Sequence, residues 1–230
     1  MNQIIQPAQI EKTSFAIITK ELGNHIFPDG QAEVVKRVIH TTADFDYADT
    51  LCFSEDALSS GKNALQKGAT IVTDTSMALS GINKTILGRL GGEARCFISD
   101  PSVAAEAKER GVTRAIVSME HACQLHGPLI FAIGNAPTAL IRLHELIEQG
   151  ACQPALVIGV PVGFVNVVES KELFIDGKTP YIVARGRKGG SNVAAAIINV
   201  IQFQLVNTEG FCVYMAKKAL AICRFGSSYQ

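Results

Sequence analysis

What this 230-residue chain lacks narrows its chemistry before any motif is read. It has no excess of either charge, with 21 basic residues against 21 acidic ones, so nothing draws it as a whole onto nucleic acid or an anionic membrane. Any anion site must be local. It has no CxxC pair: Cys52, Cys96, Cys123, Cys152, Cys212 and Cys223 are dispersed through apolar stretches and read as reduced packing residues. It has no credible membrane span, because the most apolar stretch, Ala155 to Val168, is short and interrupted by Pro161 and Asn166. The opening residues MNQIIQPAQIEKTSF lack the basic flank and long apolar centre of a secretory signal, which makes the cytoplasm the expected compartment. Metal and nucleotide signatures are missing too. His121 and His126 are five apart and His144 stands alone, without zinc spacing. There is no GxxxxGK[ST] loop, no GxSxG elbow, and no GxGxxG with a partnered acid after the first strand. Neither a metal nor a cofactor is expected.

What is present is an alternation. With 47% apolar residues the chain can bury a substantial core. Helices are expected over about Pro7 to Leu22 and Gln31 to Ile39, and short apolar runs then alternate with helical patterns. The candidate strands are Thr50 to Phe53, which is the most peripheral, then Ala69 to Val72, Arg95 to Ile98, Leu129 to Ile133, Pro154 to Ile158 and Pro180 to Val183. Ser54 can cap a helix over Glu55 to Lys67 that Gly68 stops, and Asp100-Pro101 opens another that Gly111 ends. The pattern predicts one three-layer α/β/α domain over residues 1–206, with a parallel sheet of about five strands. Residues 207–230, including an apolar segment from Phe211 to Cys223, form an extension with no assigned role.

Four places could carry chemistry. The stripe Val34, Val35, Val38 and Ile39 delivers His40 to a helix end, with Arg37 three residues earlier on a neighbouring face. Histidine titrates nearest neutrality, so this arrangement can present a proton donor, although a histidine there can also simply cap carbonyls. Asp44 and Asp46 could orient it. The other three places are turns after strands, where an open parallel sheet binds ligands. Ile133-Gly134-Asn135-Ala136-Pro137-Thr138 can aim outward amides, Asn135 and Thr138 at an anion, or be a plain capped turn. Gly159 to Asn166 is almost wholly apolar and reads as a wall for a flat organic ligand or as a buried crossover, followed by Glu169-Ser170-Lys171, which could recognise polar substituents or simply be solvated. Ala184 to Asn192 holds three cations and three glycines. There Arg185, Gly189 and a helix-capping Ser191 would bind carboxylates or phosphates.

Taken together, Ile10 to Phe15, Arg37 to His40, Gly134 to Leu140, Pro161 to Val165 with Glu169 to Lys171, and Arg185 to Ser191 closely resemble the precorrin-8X methylmutase family, in the family's order over about residues 7 to 205. The resemblance implies a flavodoxin-like sheet, usually in a homodimer. It also implies a cofactor-free isomerase of cobalamin biosynthesis that moves a methyl group from C11 to C12 of a corrinoid tetrapyrrole. Its substrate is precorrin-8X or cobalt-precorrin-8, and its product hydrogenobyrinate or cobyrinate. By the same resemblance His40 is the proton donor and acceptor, while Arg37 and Ser14 contact substrate. A corrinoid carrier without catalysis is the alternative from another class.

Overall fold

The computed structural model describes residues 7–175 and 177–206, so the expected extension over 207–230 lies outside the described residues. Two helices, α1 (Pro7–Leu22) and α2 (Gln31–Thr42), lead through a single turn, α3 (Tyr47–Thr50), into the short strand β1 (Leu51–Phe53). The alternation follows as α4 (Ala57–Gln66), β2 (Thr70–Thr73), α5 (Ser76–Gly81), α6 (Lys84–Arg89), β3 (Glu93–Arg95), α7 (Pro101–Arg110) and α8 (Arg114–Ala122). It continues as β4 (Leu129–Ile133), α9 (Pro137–Glu148), β5 (Leu156–Gly159), α10 (Val167–Ile175), β6 (Tyr181–Ala184) and α11 over 191–206.

The apolar strands are continuous rather than alternating because both sheet faces are covered. Successive residues point to opposite sides. Ile71, Ile130, Ala132, Leu156, Ile158 and Ile182 join a core with Val34 and Val38 of α2, Leu65 of α4 and Ile197 and Ile201 of α11. Their neighbours Val72, Phe131, Ile133, Val157 and Val183 join a second core with Met119 of α8, Leu140 and Leu143 of α9 and Phe174 of α10. The sheet order is β1-β6-β5-β4-β2-β3. From β2 onward every pairing is parallel, which is the flavodoxin-like order, and the sheet changes its direction of growth between β2 and β4. The sixth strand, β1, pairs antiparallel with β6 at the edge.

Three local expectations need correction. The third strand covers Glu93–Arg95 rather than 95–98, because at this edge Glu93 and Arg95 face solvent as an ion pair at 2.8 Å. The apolar residues Phe97 and Ile98 lie past its end and pack on the second core. Ser54 does not cap α4, which starts after Asp56. Its hydroxyl donates to Asp56 Oδ1 at 2.9 Å and accepts the Tyr181 N–H at 3.0 Å, fastening the start of β6. Finally, α2 runs past Ile39 to Thr42, ending where Ala43 turns left-handed (φ 54°) and donates its N–H to the Ile39 carbonyl at 2.7 Å. His40 therefore sits inside the last helical turn.

Candidate active site

His40 is exposed, and what fixes its ring is a neighbour on α1. Its imidazole lies nearly parallel to the Phe15 ring, at 5.2 Å between centroids and 7° between planes. The Arg37 guanidinium stands over the same ring at 4.7 Å. Arg37 and His40 are one helical turn apart, so one phenylalanine face can serve both. Arg37 also pairs with Glu11 at 2.7 Å, a contact that holds its guanidinium beside α1. Ser14, next to Phe15, is half-buried and donates to the Ile10 carbonyl at 2.9 Å within its own helix. The structure thus brings Arg37 and His40 onto α1 at Phe15, the residue next to Ser14. Asp44 and Asp46 do not orient His40. Both accept from Lys188 at 2.6 Å, which ties the glycine-rich loop to the segment just after α2. The Lys188 ammonium holds the Asp44 carboxyl below its usual range, and the two acids hold Lys188 above its own.

That loop is built by close backbone approach. A Cβ on Gly189 would stand 2.1 Å from the Val160 carbonyl oxygen, so only glycine fits there. Gly190 donates its N–H to the same carbonyl at 2.9 Å, and Gly163 donates to the Arg187 carbonyl at 3.2 Å. The β5–α10 and β6–α11 turns are in this way one unit. Of the three cations, Lys188 is held by Asp44 and Asp46 and Arg185 by Glu172 at 3.2 Å, while Arg187 stands over the Phe164 ring at 5.5 Å. The apolar turn is buried over Gly159 to Pro161 and exposed beyond, where Phe164 is 82% exposed and Val165 78%. Lys171, expected at a solvated position, is instead fully buried and donates to the carbonyls of Gly186 at 2.7 Å and Lys188 at 2.9 Å.

The turn after β4 is also arranged differently from the expectation. Its amides do not face outward for a ligand. The buried carboxylate of Asp74, at the end of β2, accepts the N–H groups of Gly134, Asn135 and Ala136 at 2.9, 2.8 and 2.7 Å. Burial pushes the Asp74 carboxyl up while the three N–H donors draw it back. Next to it a cavity of about 410 Å³ opens between the carboxyl ends of β2 and β4, where the sheet changes direction. Thr75, Thr113, Arg114, Asn135 and Thr138 give it a polar lining with one cation. Ser191 is not the cap of α11, whose N-cap carbonyl belongs to Gly190. Its hydroxyl pairs with that of Thr75 at 2.8 Å, joining the cavity edge to the glycine loop. Asn135 thus lines the cavity, Arg185, Gly189 and Ser191 belong to the loop, and His40 is not among the residues that line the cavity.

Sequence reading missed Asp74, Arg114 and the burial of Lys171. The first had a signal: Thr73-Asp74-Thr75-Ser76 is a polar run directly after an apolar strand, the same context as the three turns singled out. Among the described residues no cluster of His, Cys, Asp or Glu could hold a metal ion, and no helix is long and apolar enough to cross a membrane.

A model of the family described as precorrin-8X methylmutase matches residues 9–203. The cobalt-precorrin-8 methylmutase of Priestia megaterium is 48% identical over 197 residues, covering 86% of this chain and 88% of that one. The cobalt-precorrin-8 methylmutase of Salmonella typhimurium is 47% identical over 214 residues, covering 89% and 99%. The crystal structure of the precorrin-8X methylmutase of Thermus thermophilus superposes with a TM-score of 0.81 at 40% identity, covering 87% of this chain and 97% of that one. With the α1–α2 end, the cavity and the glycine loop all inside the matched span, the chain belongs to the precorrin-8X methylmutase family, isomerases of cobalamin biosynthesis.

Proposed function

We propose that this protein moves the C11 methyl group of cobalt-precorrin-8 to C12, giving cobyrinate, with His40 as the proton donor and acceptor. The observation that carries the residue assignment is the shared Phe15 face, which holds the His40 imidazole and the Arg37 guanidinium side by side at an exposed helix end. The choice of the cobalt form follows the two relatives at 47% and 48% identity, both named for it.

A 1,5-methyl shift within a conjugated ring needs no external nucleophile. It needs a held conformation and a polarised π-system. In this reading the His40 imidazolium gives its proton to the macrocycle, positive charge gathers beside C11, the methyl group migrates with its bonding pair, and the proton returns to His40. Atoms and charge balance without an added cofactor. Arg37, Ser14 and Arg185 bind the peripheral carboxylates, Arg185 exchanging Glu172 for substrate, and the exposed Phe164 and Val165 lie against the flat ring. Asn135 hydrogen-bonds from the cavity, and Gly189 and Ser191 set the loop's shape.

The cavity of about 410 Å³ falls near the lower end of the usual range for small-molecule sites, roughly 300–1,000 Å³, so it holds part of the macrocycle. A homodimer would close the remainder. Its support is apolar surface on α1 beside the His40 end, where Ile10 and Ile17 are each 51% exposed. The reduced thiols of Cys52, Cys96, Cys123 and Cys152 favour a cytoplasmic enzyme.

The test is an anaerobic absorbance assay with cobalt-precorrin-8 and, separately, precorrin-8X, the product identified by proton NMR because isomers share a mass. Faster conversion of the cobalt form is the expected result. Faster conversion of precorrin-8X would overturn the substrate assignment. Binding of both without conversion would identify a carrier.

A further inference from the structure

Beneath the glycine loop lies a cation that contacts neither solvent nor, among the described residues, an acidic side chain. Lys171 on α10 is fully buried. Its ammonium donates to two main-chain carbonyls, those of Gly186 and Lys188, two residues apart on the loop. Burying an ammonium is costly unless its donors are answered, and carbonyl oxygens answer it only while the loop keeps its present course. The cation and the loop geometry therefore hold each other in place.

We infer that Lys171 is a positioning residue: from below, it fixes the backbone from which Arg185 and Arg187 are presented to the carboxylates of the substrate. Its other ties are the Gly163 N–H on the Arg187 carbonyl and the Gly190 N–H on the Val160 carbonyl, which join the loop to the β5–α10 turn, the Arg185 N–H on the Thr50 carbonyl, and the exposed ion pairs of Arg185 with Glu172 and of Lys188 with Asp44 and Asp46. Removing the ammonium would take this donor from the Gly186 and Lys188 carbonyls, and the loop would turn outward to water. Lys171 also adds positive charge under a site for an anionic ligand.

The cost of burial shows in the proton affinity. Desolvation lowers the Lys171 ammonium to about 8, and the carboxylate of Glu172, next to it on α10, opposes that shift. The other charges around the loop are Arg185, held by Glu172, Arg187, over the Phe164 ring, and Lys188, held by Asp44 and Asp46. A buried ammonium with a lowered proton affinity destabilises the fold at lower pH, and that penalty is relieved as pH rises from about 8 toward the ordinary lysine range.

This inference rests on the corrinoid reading only for the identity of the ligand, and the experiment separates the two. Amide hydrogen exchange needs no substrate: in Lys171→Met the Gly163 and Gly190 amides should lose protection about tenfold or more, while the amides held by Asp74 keep theirs. With cobalt-precorrin-8, KM should rise about tenfold or more and kcat stay within a few fold, and Lys171→Arg should recover part of the loss. If Lys171→Met does not fold, the same exchange comparison on Lys171→Gln decides. Unchanged protection at Gly163 and Gly190 in the folded variant would overturn the proposal. Absence of turnover by the wild-type enzyme would count against the corrinoid reading alone.

Discussion

At the turn after β4, the buried Asp74 carboxylate gathers three backbone N–H groups. At the end of α2, by contrast, His40 and Arg37 rest on one phenylalanine ring, and the nearest ion pair is half-exposed. The first region is organised by an ion aimed inward at main chain, with no spare valence for a ligand. The second is organised by stacking, which fixes a ring's plane and leaves its nitrogens accessible. The sheet rim is held from inside so that exposed side chains can do chemistry, and a charged residue near a site is not by that fact a ligand-binding one. Asp74, Lys171 and Lys188 all carry charge at this rim, yet each is engaged by the protein itself.

Breaking the first region should have the larger effect on stability. Asp74→Ala leaves the Gly134 N–H buried and unpaired and loosens two more, and orphaned donors cost roughly 1–3 kcal/mol each, so urea unfolding should show a loss of about 2–4 kcal/mol. A loss under about 1 kcal/mol would mean that water replaces the carboxylate and that the turn is not held from inside. Phe15→Leu addresses the second region. It removes the ring from under both His40 and Arg37 and should cost about 1 kcal/mol of stability. Its turnover should fall about tenfold, because a misoriented donor loses rate before the fold loses stability. Equal small changes in both quantities would show that the stack does not orient the histidine. The smallest effect belongs to the bridge joining the regions. Lys188 holds the Asp44 carboxyl below its usual range, so the pair stabilises the fold above the ordinary carboxylate pKa, and this contribution disappears as pH falls through the lowered folded value. Thermal midpoints of wild type and Asp44→Asn should differ slightly at pH 6 and converge in acid. A difference that grows in acid would contradict that sign.

Much of this was legible in the sequence because apolar patterning is a local signal. The runs Ile130 to Ile133 and Leu156 to Ile158 could only be buried strands with helices on both sides, and the stripe through Val34, Val35, Val38 and Ile39 placed His40 at a helix end. Edges were harder. At β3 the apolar pair Phe97 and Ile98 follows the strand instead of forming it, since an edge strand can leave Glu93 and Arg95 in water. Partnerships between distant residues were not readable at all. Nothing local says that Asp74 meets an amide 60 residues later, that Lys171 turns inward to Gly186, or that Asp44 serves Lys188 instead of His40. Those contacts follow from strand order, which brings the carboxyl ends of β2, β4, β5 and β6 to one rim.

The most direct test of the division between a held rim and an exposed reacting group is a side-by-side measurement on His40→Ala: its dissociation constant for cobalt-precorrin-8, its urea midpoint and its single-turnover rate, with the methyl position read by NMR. His40 touches Phe15 and carries no buried network, so affinity and stability should stay near wild type. The methyl shift should slow by about 10²–10⁴-fold, the usual contribution of a general acid. A rate within a few fold of wild type, or a variant that no longer binds, would contradict it.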